Sequence, residues 1–326
     1  MVKRPINDIT TPFFSVSIVK NDEIQGIDTY RVEAKDRFHA WPHHISRRAV
    51  SMFTRTLDRY LRKRPHLTFD HPKNHVRRIV YFPPAFRAWT AYMPGGFATY
   101  SVHNPDHKRL YSGKKIDIIT KNLFRHSIDA IGLRSRAYAM AWYAHYYTGE
   151  KKDITWLSIA AGTGQPVFDA ARIIPANKRY YLCDMDGEAL RFARQLSKTY
   201  DIDDEDIFTS KLDLTREGVL ERLMADIRPD VVDAMGFFEY LDDERAVEVL
   251  IAIRKSLKSG GVFIFTNMLD TRKQLDVHKR GMGWPGVIPR SVKQVSHLMT
   301  RAKIQKKSQK LILPEDGVYG VYIIEG

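Results

Sequence analysis

Cysteine is almost missing from this 326-residue chain: Cys183 stands alone, so no internal disulfide can form and a reducing, intracellular setting is the expectation. No apolar run approaches the roughly 20 residues that span a bilayer. The opening MVKRPINDITTPFFSVSIVK carries charge where a signal peptide would have its apolar stretch. These absences point to a cytoplasmic protein. Acidic residues are scarce only in the first half, where residues 1–150 hold 25 Lys and Arg against 12 Asp and Glu; residues 151–326 hold 27 against 26. The first half also carries 10 of the 12 histidines. A basic surplus attracts nucleic acid, an anionic membrane or an acidic small substrate, or is merely a solvated surface. The clusters His39, His43, His44 and His66, His71, His75 lack nearby cysteines and a helical HxxxH repeat, so no metal site is expected.

From about residue 153 the chain alternates β-like and helix-like segments, the pattern of an α/β protein with a parallel sheet and crossover helices. ITWLSIA (154–160), RYYLCD (179–184), DIFTSKLDL (206–214), RPDVVDAMGFF (228–238) and GVFIFTNM (261–268) read as strands. GEALRFARQLSKTY follows the second as a helix, with Leu190, Ala193 and Leu196 on one side. DDERAVEVLIAIRKSLKSGG is the clearest helix, acidic at its start, basic at its end and stopped by a Gly pair. Two β-rich runs around Pro314 to Gly317 read as an antiparallel hairpin. In the first half, helical patterns cover 46–63 and 119–147, and 64–116 is rich in Pro, Gly, His and aromatics.

Ligands of an open parallel sheet sit beyond the carboxyl ends of its strands. After the first strand comes Ala160-Ala161-Gly162-Thr163-Gly164, small residues that let backbone approach a ligand closely. Asp184, twenty residues past Gly164, sits at the spacing where a carboxylate reaches two ribose hydroxyls. Asp213 ends the third strand, where it would accept from an exocyclic amine, with Met185 and Leu214 sandwiching a flat base. A dinucleotide-binding oxidoreductase competes for this constellation, although A-A-G-T-G-Q lacks its third glycine.

LSIAAGTGQ, CDMDGEALRFAR, KLDL and PDVVDAMGFFEYLDDERAVEVLIAIRKSLKSGGVFIFTNM resemble, in that order, the motifs of the class I S-adenosylmethionine-dependent methyltransferases. The resemblance covers about 130–326. It implies a Rossmann-like seven-stranded sheet with the last strand antiparallel, S-adenosylmethionine as cofactor, and cofactor contacts at Ala160, Gly162, Gly164, Asp184, Met185, Asp213, Leu214, Met235 and Gly236. An N-terminal, mainly helical lid would occupy 1–118 and cover substrate; 119–326 would be the catalytic domain with its leading helix. Two positions depart from the family: Ser158 stands where an acid is usual, and Ala160 where a glycine is. Another group must then meet the amino-acid end of the cofactor, and Arg134 and Arg136 on the leading helix are candidates for its carboxylate.

Methyl transfer needs a nucleophile held in line with the methyl and a route for its proton. The loop after strand four, MGFFEY, lacks the Asn/Asp-Pro-Pro-aromatic sequence of relatives that methylate exocyclic amines. Cys183 lies on strand two, away from the position of a cytosine-C5 nucleophile. GFFEYLDDE and HKRGMGWPGVIPRS resemble a bacterial branch with a Gly-aromatic-x-[DE]-Tyr-Leu motif, some members of which are assigned to methyl-esterification of hydroxy fatty acids. That likeness implies Glu239 and Tyr240 beside the reaction centre and Trp284 and Arg290 over the substrate, Arg290 as a bidentate partner for a carboxylate. His278, between strand five and Trp284, is the candidate general base. A small-molecule or lipid-like acceptor is the preferred reading. The alternatives are an RNA methyltransferase, with RRIVYFPPAFRAWTAY stacking bases, and an inactive S-adenosylmethionine-binding protein. The small-molecule reading predicts weak binding to total RNA with a shallow salt dependence; filter binding at several ionic strengths checks it, since true RNA binding falls steeply with salt.

Overall fold

In the computed structural model, which describes residues 6–326, ten strands form one sheet. They are β1 (Ile9–Thr10), β2 (Phe14–Ile24), β3 (Ile27–Asp36), β4 (Asp153–Ile159), β5 (Asn177–Asp184), β6 (Ile207–Lys211), β7 (Val231–Ala234), β8 (Val262–Met268), β9 (Gln309–Pro314) and β10 (Tyr319–Glu325). Their order across the sheet is β1-β2-β3-β9-β10-β8-β7-β4-β5-β6. β6, β5, β4, β7 and β8 run parallel, and β10 enters antiparallel between β8 and β9. This is the arrangement the resemblance implies, extended from seven strands to ten. β7 and β8 are buried along their whole length, as befits central strands covered on both faces.

The helices before the parallel half are α1 (His44–Arg62), α2 (His75–Val80), α3 (Pro84–Trp89), α4 (Gly96–His103), α5 (Ile118–His126) and α6 (Ile128–Thr148). Those after it are α7 (Gln165–Ala171), α8 (Gly187–Ser197), α9 (Val219–Ile227), α10 (Asp243–Ser256) and α11 (Val292–Arg301). One core joins α6, α7 and α8 to the sheet, and a second joins α9, α10 and α11 to the other face. Leu190, Ala193 and Leu196 bury the inner side of α8, and Ala246, Leu250 and Ile253 that of α10. Helix starts follow local chemistry: Asp186 accepts from the N–H groups of Glu188 and Ala189, and Asp242 from that of Arg245. Among the described residues no helix is long and apolar enough to cross a membrane.

Three expectations need correction. The helix read over 119–147 is two helices, because Ser127 takes extended backbone and its hydroxyl accepts from the Ala130 N–H, capping α6. The fourth strand is only Val231–Ala234, and Phe238–Tyr240 turns as a 3-10 helix. Most consequentially, the N-terminal region is not helical throughout. β2 and β3 form a hairpin across Gln25-Gly26, both in the left-handed region at φ 56° and 74°, as a two-residue turn requires. β3 then pairs parallel with β9 and joins the main sheet.

A buried ion pair ties this hairpin to the helices. Arg134 of α6 donates through Nε to Asp36 Oδ2 at 2.6 Å, through Nη1 to the carbonyls of Val102 and Phe124, and through Nη2 to that of Arg125. Burial pushes the Asp36 carboxyl up, but His39 and the Arg134 guanidinium outweigh it and hold it well below the usual carboxylate range. Four of the five guanidinium N–H groups of Arg134 are thereby spent on structure, and the residue does not line the cleft proposed for the cofactor. Asp36→Asn leaves a buried guanidinium unpaired, and urea unfolding at pH 7 is expected to show a loss of about 3–5 kcal/mol. A depressed carboxylate stabilises only while it is ionised, so the gap between wild type and variant narrows as pH falls below about 4.

Candidate functional site

The turn after β4 is shaped by backbone conformation. Ala160, Gly162 and Gly164 take φ values of 52°, 53° and 71°, and the Ala161 N–H donates to the Cys183 carbonyl. The Gly162 N–H donates to Asp184 Oδ2 at 2.7 Å, and the Asp186 N–H to Oδ1 at 2.8 Å. Asp184 is fixed against the loop, and each oxygen keeps a second lone pair for a ligand hydroxyl. From above, the start of α4 presses on the same turn: a Cβ at Gly96 would come within 2.8 Å of Gly162 Cα. Two glycines meeting backbone to backbone thus hold the N-terminal helices against the loop.

Of the residues the sequence assigned to the cofactor, all but Gly164 and Arg134 line one cleft. Gly164 shapes the turn from beneath, where a Cβ would strike the Phe168 ring. Ala160, Gly162, Asp184 and Met185 lie at one side of the cleft, Asp213 and Leu214 beside them, and Met235, Gly236 and Arg136 at the other. Hydrogen bonds from the Thr215 hydroxyl and N–H lower the Asp213 carboxyl below its ordinary range and tie Oδ1 into a turn. Asp213 therefore caps its own loop while facing the cleft.

Arg136 donates to Glu239 Oε1 at 2.9 Å, lies over the Tyr319 ring and packs on Gly236, where a Cβ would meet its guanidinium at 2.8 Å. Glu239 is buried, its second oxygen Oε2 has no partner, and burial raises its carboxyl despite Arg136. Ser158 pairs in register with Asp233 of β7, donating to Oδ1 at 3.1 Å, and the Trp156 indole donates to Oδ2 at 2.7 Å. Asp233 lies beneath the cleft and burial pushes it up to about 7.

A second, apolar cavity adjoins the cleft, with Leu133, Trp284 and Tyr319 lining both. Trp284 donates from its indole to the Tyr240 hydroxyl at 2.7 Å and stacks on His278. His278 lines the apolar cavity; its Nδ1 is 2.7 Å from Asp129 Oδ1, and its buried Nε2 has no partner. Burial lowers the imidazole pKa although Asp129 opposes it, so the ring is neutral at pH 7. Burial pushes Asp129 up, but Arg272, whose Nη1 donates to the same Oδ1 at 2.7 Å, and His278 hold it well below the carboxylate range. Asp129 and Arg272 escaped the sequence reading, since an acid in the first turn of a helix reads as a dipole partner.

Arg290 is a correction. It lines neither cavity: Nη1 donates to Phe238 O and Asn267 Oδ1, Nη2 to Leu241 O, and Nε to Asp243. The side chain pins the loop after β7 and has no donor left for a substrate carboxylate. Two of the five aromatics in the run read as a base-stacking platform, Phe86 and Trp89, are buried around the apolar cavity, while Phe82 is exposed. Among the described residues no three His, Cys, Asp or Glu side chains are grouped to hold a metal.

Asp233 sets a measurable trend. A carboxyl raised from 3.8 to about 7 in the folded chain keeps its proton where the unfolded chain has lost it, so stability declines as pH rises from about 4 to 7. In Asp233→Asn, whose amide keeps one acceptor for Trp156 and one donor for Ser158, urea midpoints across this window are expected to lose that decline.

No family model matches the chain, and no curated protein does. Among solved structures, a possible exported protein of Bordetella parapertussis is similar over 86% of this chain and 98% of its own, at 14% identity and TM-score 0.61. Magnesium protoporphyrin IX methyltransferase of Synechocystis, with bound SAH, shares 11% identity over 78% of this chain and 100% of its own, TM-score 0.49. Human N-acetylserotonin methyltransferase in complex with SAM shares 12% identity over 77% of this chain and 69% of its own, TM-score 0.41. With the strand order β6-β5-β4-β7-β8-β10-β9 at its centre, the chain has the class I S-adenosylmethionine-dependent methyltransferase fold.

Proposed function

We propose that this protein is an S-adenosylmethionine-dependent methyltransferase whose acceptor is a small or lipid-like molecule, methylated on a hydroxyl oxygen. The observation that carries the reading is His278: a neutral imidazole, held by Asp129, whose unpartnered Nε2 faces an apolar cavity continuous with the candidate cofactor cleft. A carboxylate is already ionised at neutral pH and needs no base, whereas a hydroxyl must lose a proton. A placed base therefore favours a hydroxyl over the carboxylate that the sequence left open. With Arg290 engaged elsewhere, a carboxylate acceptor also lacks its expected partner.

The cleft fits the cofactor in its parts. Asp184 offers lone pairs to the ribose, Leu214 and Met185 flank a flat base, and Gly162 under Gly96 leaves no room for side chains. The buried pair of Arg136 and Glu239 matches the zwitterionic end: the guanidinium faces a carboxylate, and the orphan Glu239 Oε2 accepts from an ammonium. Bound there, the cofactor supplies an electrophilic methyl on a sulfonium that departs as a neutral thioether. The chain's part is to hold the acceptor oxygen beside His278 and remove its proton. Nε2 takes the proton as the oxygen forms its bond to carbon, and Asp129 stabilises the imidazolium. Trp284, held by its hydrogen bond to Tyr240, lines the junction of cleft and cavity.

In this reading 119–326 carries the chemistry. Of the N-terminal residues 1–118, those after β3 cover the substrate, since β1 to β3 belong to the sheet. A cytoplasmic setting is part of the same proposal, supported by a single, buried thiol. The base argues against an inactive cofactor-binding relative, and the burial of Phe86 and Trp89 argues against RNA.

Tritiated-methyl transfer into fractionated cell extract identifies the acceptor pool. His278→Gln is expected to lower kcat by about 10²–10⁴ with cofactor affinity unchanged by calorimetry. It also removes the acidic limb of the wild-type pH–rate profile, which lies below the ordinary histidine pKa of about 6.5. Asp184→Ala abolishes calorimetric binding of S-adenosylmethionine; absence of binding by the wild-type protein overturns the proposal.

A further inference from the structure

We infer that the apolar cavity is the inner end of a channel that opens on a membrane-docking face, and that the acceptor is an amphiphile drawn head-first from an anionic lipid bilayer. The inference rests on the methyl-transfer reading for what happens at the inner end, and on separate observations for the outer one.

Phe53, Ile79, Pro83, Ile119 and Leu123 line both the apolar cavity and an adjoining surface cleft. The path therefore runs from solvent, between α1, α2 and the start of α5, to His278 and Trp284. Its mouth is apolar where a protein surface is ordinarily polar. Phe82 is 78% exposed at that mouth, and on the neighbouring helices Ile118 is 68% exposed, Met52 70% and Ile45 81%. On α1, Ile45, Ala49, Met52 and Phe53 recur at helical spacing as an outward apolar stripe, opposite the buried Val50, Leu57 and Leu61. A helix with an apolar side toward the core and a second toward solvent has a further partner.

Charge selects that partner. Arg48, Arg55 and Arg59 flank the α1 stripe, and Arg78 stands at the rim of the cleft. The single carboxylate of α1, Asp58, is turned inward and paired with Arg62. Apolar and aromatic side chains set among exposed arginines are the composition of a helix that lies in the headgroup region of an anionic bilayer. A second copy of this chain would place arginines against arginines, and a polar peptide would not use the stripe. A channel that begins in that face and is apolar along its length takes an acyl-like tail, leaving the polar, hydroxyl-bearing part at the cofactor end.

The test is co-flotation of the full chain with vesicles of phosphatidylcholine alone and of equal parts phosphatidylcholine and phosphatidylglycerol. Binding to the anionic vesicles that weakens with salt is expected. Phe82→Asp with Ile118→Asp, both exposed, should weaken it about tenfold or more. Arg48→Glu with Arg55→Glu should do the same for anionic vesicles. In both variants calorimetric affinity for S-adenosylmethionine stays at the wild-type value. For the channel, cis-parinaric acid is expected to take energy from Trp89 and Trp284, and Ile79→Trp at the neck to block its entry. Equal binding to neutral vesicles, no vesicle binding, or a dimer that Phe82→Asp dissolves would overturn the inference. Loss of cofactor binding in the wild type would instead sink the methyl-transfer reading, so the two failures are distinguishable.

Discussion

A single oxygen, Asp129 Oδ1, receives both the Arg272 guanidinium and the His278 imidazole, and the site is organised around it. A carboxylate in an apolar wall would take up a proton; Arg272 keeps it ionised, and the ionised form fixes the imidazole proton on Nδ1. The lone pair on Nε2 then has one direction left, into the cavity. The segment bearing His278 is itself strapped to the helices above it. Asp58 accepts from the N–H groups of Asp276 and Val277, and Arg280 donates to the carbonyls of Leu61, Arg64 and Leu67. Cover and base therefore move as one body.

The antiparallel β10 and the N-terminal hairpin answer a common problem of sheets. β9 would otherwise end the sheet as a long, unpaired edge, which invites pairing with other chains. β3 closes that edge, and β1, two residues long, blunts the next. The same hairpin delivers Asp36 to Arg134, so an extension that looks peripheral in topology reaches the middle of the molecule.

The parallel half was legible because its signals are local: buried runs, acidic first turns, small residues after a strand. Most of the residues assigned to the cofactor from spacing share one cleft for the same reason. What stayed hidden is what depends on distant partners. Arg290 and Arg136 look alike on paper, yet four acceptors consume one while the other faces a cleft. Ser158 suggested a lost carboxylate, but not that the register of β4 against β7 sets a buried acid, Asp233, beside it, a pairing across strands that reading along a chain does not reveal. The hairpin was missed despite the alternation of Phe14, Val16 and Ile18, because Gln-Gly is a weaker turn signal than Asn-Gly. His278 was chosen from sequence for its position, whereas its tautomer depends on Asp129, nearly half the chain away.

Leu133, Trp284 and Tyr319 line the junction of two compartments with different exteriors, one beside Met185 and Asp213, the other between α1 and α2. An enzyme with one door must load and empty in sequence, the second ligand waiting on the first. Two doors uncouple the traffic: spent cofactor is exchanged from one side while the acceptor's tail stays seated on the other. A substrate with several hydroxyls would then be modified more than once before it leaves.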